Sequence, residues 1–254
     1  MSATIVVPSG GGCFEGHFPG RPILPGVVLL DLALRALAGA QQDALALRGI
    51  AFARLRQLVV PGDRLVLAVR ELDEARVRID LRRGEALVAN AELALGAPDA
   101  PPAAGVELEP FDAELSAVPA LDALLPHRPP MRLVASIVRE TADGLVCTAR
   151  VPSACPLAEH GVAPALAGME AAAQTAAVWE ALRRWRQGGG AAPRIGYLVA
   201  VRDLVLFAEH VAVDVPMLTS VRLEAAAPPL THYRVETCVG GKSLLRGTIA
   251  TYLT

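Results

Sequence analysis

The sequence predicts an α+β chain in which one architecture occurs twice: an antiparallel sheet wrapped around a long buried helix. Three observations carry this. Two apolar or small-residue helical stretches begin near Gly26 and Pro164, and each precedes four strand-like runs separated by turns. Residues 96–119, GAPDAPPAAGVELEPFDAELSAVP, are rich in Pro, Ala and acid and read as an extended linker. They divide the chain into units 1–95 and 120–254.

In the first unit the helix runs from Gly26 to about Gln41. Val27, Val28, Leu29, Leu30, Leu32, Leu34 and Leu37 leave little polar face, which predicts burial almost all round. Strands are expected at 47–57, 64–72, 75–81 and 85–95. Pro61-Gly62-Asp63 and Arg83-Gly84 supply turns, and the alternations Leu65, Leu67, Val69 and Val77, Ile79, Leu81 fit strands with one face on a core. In the second unit, 132–140 and 144–151 read as a hairpin turning at Ala142-Asp143-Gly144. The second helix spans about 164–186: Pro164 suits a first turn, and Gly188 to Gly190 stop the helix. Strands follow at 197–207, 218–226, 232–239 and 243–252. The repeated order implies an internal duplication. Two such units can bury their sheet edges against each other, which makes an intrachain pseudo-dimer that could pair again with a second chain.

Composition narrows the function. The chain has 254 residues, 53% of them apolar, enough for a sizeable core. Its 24 basic and 26 acidic residues nearly cancel, which argues against a nucleic-acid partner. Cys13, Cys147, Cys155 and Cys238 lack metal or redox spacing and are expected as reduced, mostly buried thiols. No leader-like start is visible, and charges interrupt every apolar run before the ~18 residues of a span. A soluble, cytoplasmic protein without metal or redox cofactor is expected.

The most specific segment is 14–31, FEGHFPGRPILPGVVLLD. Pro19, Pro22 and Pro25 with Gly16, Gly20 and Gly26 hold one imidazole, His17, rigidly beside a helix start. GHFPGRPILPGV, with an acid fourteen residues after the histidine, resembles the 3-hydroxyacyl-acyl-carrier-protein dehydratases of the hot-dog superfamily. FARLRQLVVPGDRL is similar to the strand-turn-strand that follows in that family. In the second half, ALDALLPHRPPMRLV resembles the same family's first-strand region and MEAAAQTAA its helix motif. More narrowly, the first half resembles the dehydratase of aryl polyene pigment clusters and the second half its partner hot-dog protein, so the chain resembles a fusion of the two.

The resemblance implies a double hot-dog and a lyase that removes water from a 3-hydroxyacyl thioester on acyl carrier protein. That reaction needs a base for the proton next to the carbonyl, donors for the enolate oxygen and an acid for the departing hydroxyl. Neutral His17 suits the base. The N–H groups of Gly26 and Val27, at the positive end of the helix, suit the oxyanion donors, and Phe18 and Gln174 are counted with them as substrate-contacting residues. Two acids compete. Asp31 has the family spacing, yet Arg35 lies four residues on, and an ion pair there keeps a carboxylate charged. Glu170 holds the matching position in the second helix, has no cation three or four residues away, and has Gln174 to orient it.

In the implied family, histidine and acid come from opposite units. His17 is then expected to face Glu170, while Asp31 faces Pro156, fourteen residues before Glu170. One working and one degenerate site follow, with His160 the nearest substitute base. His127 is expected to close a turn, His210 and His232 to stand alone, and Trp179 and Trp185 to pack. Arg183, Arg184, Arg186, Arg21, Arg194 and Arg202 are candidates for docking the carrier protein or its phosphopantetheine arm. A hot-dog thioesterase and a non-catalytic acyl-binding or scaffold subunit remain as alternatives.

Overall fold

The computed structural model describes residues 1–41, 45–102, 118–190 and 192–253. Most of the anticipated linker, 103–117, lies outside the described residues. The first half contains β1 (Ser2–Val6), α1 (Gly26–Gln41), β2 (Leu47–Leu55), β3 (Arg64–Asp73), β4 (Arg76–Arg83) and β5 (Ala86–Leu95). The second contains a short α2 (Leu121–Leu124), β6 (Val134–Thr141), β7 (Gly144–Ala149), β8 (Val162–Pro164), α3 (Ala167–Arg186), β9 (Gly196–Leu206), β10 (His210–Ala212), β11 (Met217–Ala227), β12 (Leu230–Val239) and β13 (Lys242–Leu253).

The two sheets expected from the sequence are joined edge to edge. One antiparallel sheet of eleven strands runs β1-β3-β4-β5-β2-β9-β13-β12-β11-β7-β6. Its seam is β2 against β9, with Ile50 opposite Leu204 and Ala53 opposite Val201. Reading outward from the seam gives the same succession twice, β2-β5-β4-β3 and β9-β13-β12-β11. This is the double hot-dog: two sheets, each curled around its own helix, sharing one ladder.

The helices differ in how they are covered. The first turns of α1 are enclosed, with Val27, Val28, Leu29 and Leu30 buried, but Arg35, Gly39 and Ala40 are exposed. The all-round burial expected for α1 therefore holds only at its start. α3 is the more deeply set helix, buried along Met169, Ala172, Ala176, Trp179 and Leu182. Small residues on α3 let the sheet close over it, and Trp179 meets the Tyr233 ring edge-on at 5.8 Å. One hydrophobic cluster links the interior of both halves. Burying aliphatic side chains on this scale is the main force holding the halves together.

Two expectations shift. α3 starts at Ala167, not at Pro164, because residues 162–164 pair with β10 as a small two-stranded sheet. β1 was not anticipated; it extends the large sheet by pairing with β3. Among the described residues no helix is long and apolar enough to cross a membrane. All four cysteines are free, and burial pushes the Cys147 thiol up to about 12.

Candidate active site

The loop before α1 is pinned to the other half through its backbone. The Arg128 N–H donates to the Gly16 carbonyl at 3.0 Å. Gly16 has a φ of +81°, and a Cβ there would lie 1.9 Å from the Arg128 carbonyl oxygen. Only glycine allows that approach. Arg128 in turn fastens its own segment, its guanidinium donating to the carbonyls of Leu125 and His127 at 2.7 and 2.8 Å. Loop 14–25 and segment 125–133 thus meet, and each brings a histidine.

His17 is buried, and its Nδ1 lies 2.9 Å from the Ile23 carbonyl oxygen. A carbonyl can only accept, so Nδ1 carries a hydrogen, and in a neutral ring the lone pair is on Nε2. Phe18 stacks on the imidazole at 4.1 Å and meets the His127 ring edge-on at 4.8 Å. The His127 ring lies 5.3 Å from that of His17. Burial first, then neighbouring His17 and Arg128, hold the His127 imidazole well below its usual 6.5, so it is neutral.

Glu170, in the first turn of α3, is 4% exposed. Gln174 donates to its Oε1 at 3.0 Å and to the Met131 carbonyl at 2.7 Å, and accepts from the Leu133 N–H at 2.9 Å. Because Oε1 accepts from Gln174, a proton on this carboxyl resides on Oε2. His127 Nε2 lies 3.6 Å from Oε1, too long for a hydrogen bond; with a neutral ring this is a contact, not a salt bridge. One donor atom from each of His17, His127 and Glu170 lies within 4.8 Å of the other two.

His17, His127, Glu170 and Gly26 share the walls of one cavity between the halves, with Leu29, Leu55 and Ala173 as apolar lining. A Cβ on Gly26 would come within 2.5 Å of the Leu55 side chain, so this wall has no room for one. Arg184 and exposed Arg194 line the same cavity. The arrangement sets a base, a carboxyl group and a helix start around an apolar space, which suits proton abstraction next to a carbonyl.

Three anticipated contacts need correction. Val27 and Gln174 are fully buried and do not line the cavity; Val27 packs in the core, and Gln174 orients Glu170. Phe18 backs the His17 ring and is also absent from the wall. Asp31 stands apart from His17 and Glu170, in a second hollow with Glu159, Glu209 and His210. It pairs with Arg35 at 2.8 Å, as its spacing predicts. Yet burial pushes its carboxyl above the usual value, outweighing Arg35. His210, expected to stand alone, lies close enough to Asp31 to act on it. His160 is exposed at the edge of a turn, with Glu159 at 3.9 Å. Sequence reasoning assigned His127 to a turn; the sole signal for its proximity to His17 was the resemblance carried by LLPHRPP.

Of the basic candidates, Arg186 is paired with Glu140 at 2.6 Å and Arg183 lies over the Trp179 ring at 4.6 Å. Arg21 lies 6.0 Å from the centre of Tyr197, a cavity residue. Arg202 sits on β9 opposite Phe52 at the seam.

Both halves of the chain resemble known dehydratases. The ApeP-like family, described as ApeP dehydratase, matches residues 119–254, and the ApeI-like family, described as ApeI dehydratase, matches residues 1–91. The 3-hydroxyacyl-(acyl-carrier-protein) dehydratase FabZ of Haemophilus influenzae is 40% identical over 72 residues, 25% of this chain and 49% of that protein. FabZ of Thermus thermophilus is 45% identical over 62 residues, 21% of this chain and 44% of that protein. The chain thus spans about half the length of the curated relatives it matches. In three dimensions it resembles a monomeric dehydratase domain from a trans AT polyketide synthase split module, with TM-score 0.72, 15% identity and 100% and 99% of the two chains covered. It also resembles the dehydratase domain of PpsC from Mycobacterium tuberculosis, with TM-score 0.68, 18% identity and 100% and 93% covered. At such identities these two likenesses speak for the fold, and the family assignment rests on the two halves: the chain belongs to the ApeP-like dehydratases, as a fusion in which an ApeI-like unit precedes the ApeP-like one.

Proposed function

We propose that this chain removes water from a 3-hydroxyacyl thioester carried on acyl carrier protein, giving a trans-2-enoyl thioester in fatty-acid-like or aryl polyene synthesis. The observation that carries the reading is the pairing of His17 from the first half with Glu170 from the second in one cavity, without Asp31. His17 Nε2 takes the proton from C2. The N–H group of Gly26, at the start of α1 in the cavity wall, stabilises the developing enolate oxygen. Glu170 passes its Oε2 proton to the 3-hydroxyl, which leaves as water while the C2–C3 double bond forms. The proton on His17 then returns to Glu170 and resets the pair.

Within this reading residues 1–95 and 120–254 are the functional units, joined through 96–119. Arg194 and Arg184 supply positive charge where the carrier's phosphopantetheine arm enters. Mass spectrometry of 3-hydroxyacyl-carrier protein incubated with each variant tests the assignment. His17→Ala and Glu170→Gln are each expected to slow elimination by about 10²–10⁴-fold, while Asp31→Asn retains most activity. Strong loss in Asp31→Asn with activity kept in Glu170→Gln would reverse the acid assignment. Free acid in place of enoyl product would make the chain a thioesterase.

A further inference from the structure

The cavity that unites the two halves also has the donor set of a metal site. His17, His127 and Glu170 are all buried, and one ligating atom of each lies within 4.8 Å of the others. Two imidazoles and one carboxylate are a set that binds zinc-class ions while leaving a fourth position open. Bonds of about 2.0–2.2 Å in a tetrahedron put ligand atoms roughly 3.3–3.5 Å apart. His127 Nε2 and Glu170 Oε1 are already 3.6 Å apart, so the widest pair must close by little more than about 1 Å.

The supporting shell is in place for His17 and Glu170. A ligating histidine is commonly fixed by a hydrogen bond from its other nitrogen. His17 has this bond, Nδ1 to the Ile23 carbonyl at 2.9 Å, which leaves Nε2 for an ion. Glu170 is steadied by Gln174, itself anchored to the 131–134 backbone. His127 is held between the Phe18 ring and the fastened Arg128 segment, and its buried Nδ1 has no hydrogen-bond partner. Imidazole donors favour Zn²⁺, Co²⁺ or Ni²⁺ over Mg²⁺ and Ca²⁺, which prefer all-oxygen shells.

We propose that His17, His127 and Glu170 together bind one zinc-class divalent ion, and that the bound ion holds the site inactive. The ion takes the Nε2 lone pair of His17 and the carboxylate of Glu170, and a proton on that carboxyl leaves to solvent. No electron transfer or co-reactant is involved. Ion binding follows from the donor set alone; inactivation rests on the dehydratase reading, because the same two groups are its base and acid.

The test separates the two. The full chain, stripped with EDTA, is titrated with Co²⁺, and the intense visible absorption of a tetrahedral cobalt centre is followed, then displaced by Zn²⁺. One such centre per chain is expected. His127→Gln, His17→Gln and Glu170→Gln should each weaken it by more than about 100-fold. Gln174→Leu, which removes only the steadying group, should weaken it by about 10–100-fold. His160→Ala, at an exposed ring, should leave it unchanged. Circular dichroism of each variant checks that it folds, and the three ligand variants come from three separate segments, so one misfolded variant does not decide the outcome. Absence of the tetrahedral spectrum, or its persistence in all three ligand variants, overturns the site. Zn²⁺ at one equivalent is expected to stop water elimination, and EDTA to restore it. Elimination that proceeds with the cobalt centre filled overturns the inactivation. A filled centre on a chain that eliminates no water when metal-free would sink the dehydratase reading and leave the site standing.

Discussion

His127 is a neutral imidazole enclosed between the halves, and that state has a measurable cost. The folded chain keeps the ring uncharged below 6.5, where the unfolded chain protonates it. The unfolded state therefore binds more protons, and stability falls as pH drops through that range. In EDTA, His127→Gln is expected to lack this share of the acid sensitivity, a limiting slope of about 1.4 kcal/mol per pH unit for one proton. Denaturant melts of wild type and variant between neutral pH and pH 5 measure it; parallel slopes would show that the ring is not held neutral. Gly16 makes the complementary case. Gly16→Ala puts a Cβ against the Arg128 carbonyl at a φ that alanine resists. It is expected to lower both stability and elimination rate by separating His17 from His127 and Glu170. A variant with wild-type rate and melting temperature would show that the contact can give way. His17 was readable in the sequence because prolines and glycines crowd around it. His127 was not, because its partner loop lies more than a hundred residues away and no local spacing encodes a contact made through the Gly16 backbone.

The helices and strands followed sequence pattern where that pattern reflects one-sided burial. β3 and β4 alternate as expected, with Leu65, Leu67, Ile79 and Leu81 facing the core. Pattern failed where tertiary pairing took over: Pro164 closes β8 against β10, and α3 begins three residues later. α1 shows how a helix that reads as uniformly apolar still ends in solvent, with Arg35 reaching from Asp31 to Glu159 of the second half at 2.7 Å. Both Arg35 and Glu159 are largely exposed, so water screens that bridge and it adds little to stability. Arg35→Ala removes this bridge and the Asp31 pair together, so a modest loss of unfolding free energy is expected, with elimination at the first cavity unchanged. A larger loss would mean that the bridge aligns the halves. Asp31 itself is readable as the partner of Arg35, but its raised carboxyl is not, since desolvation depends on the walls of a hollow formed by distant segments.

For the molecule as a unit, the seam of β2 and β9 and the shared hydrophobic cluster matter more than the covalent link. Cleavage between residues 102 and 118 is expected to leave a complex that elutes as one species and keeps its elimination rate, whereas either half expressed alone should aggregate or stay unfolded. Separation of the cut halves on a sizing column would show that the ladder is weaker than its length suggests. The duplication was visible in the order of helices and strands, and burial of the two sheet edges against each other followed from it; that β2 and β9 form the seam was not visible, because edge pairing between units leaves no periodic mark in either.

The cavity has one wall from each half, and both walls are translated together. In a dehydratase assembled from separate subunits, the imidazole and the carboxyl find each other by encounter, so thinning the solution empties the complex. Here that meeting is part of folding. Turnover per molecule should hold steady from micromolar to picomolar protein, and no excess of one partner can ever poison the other.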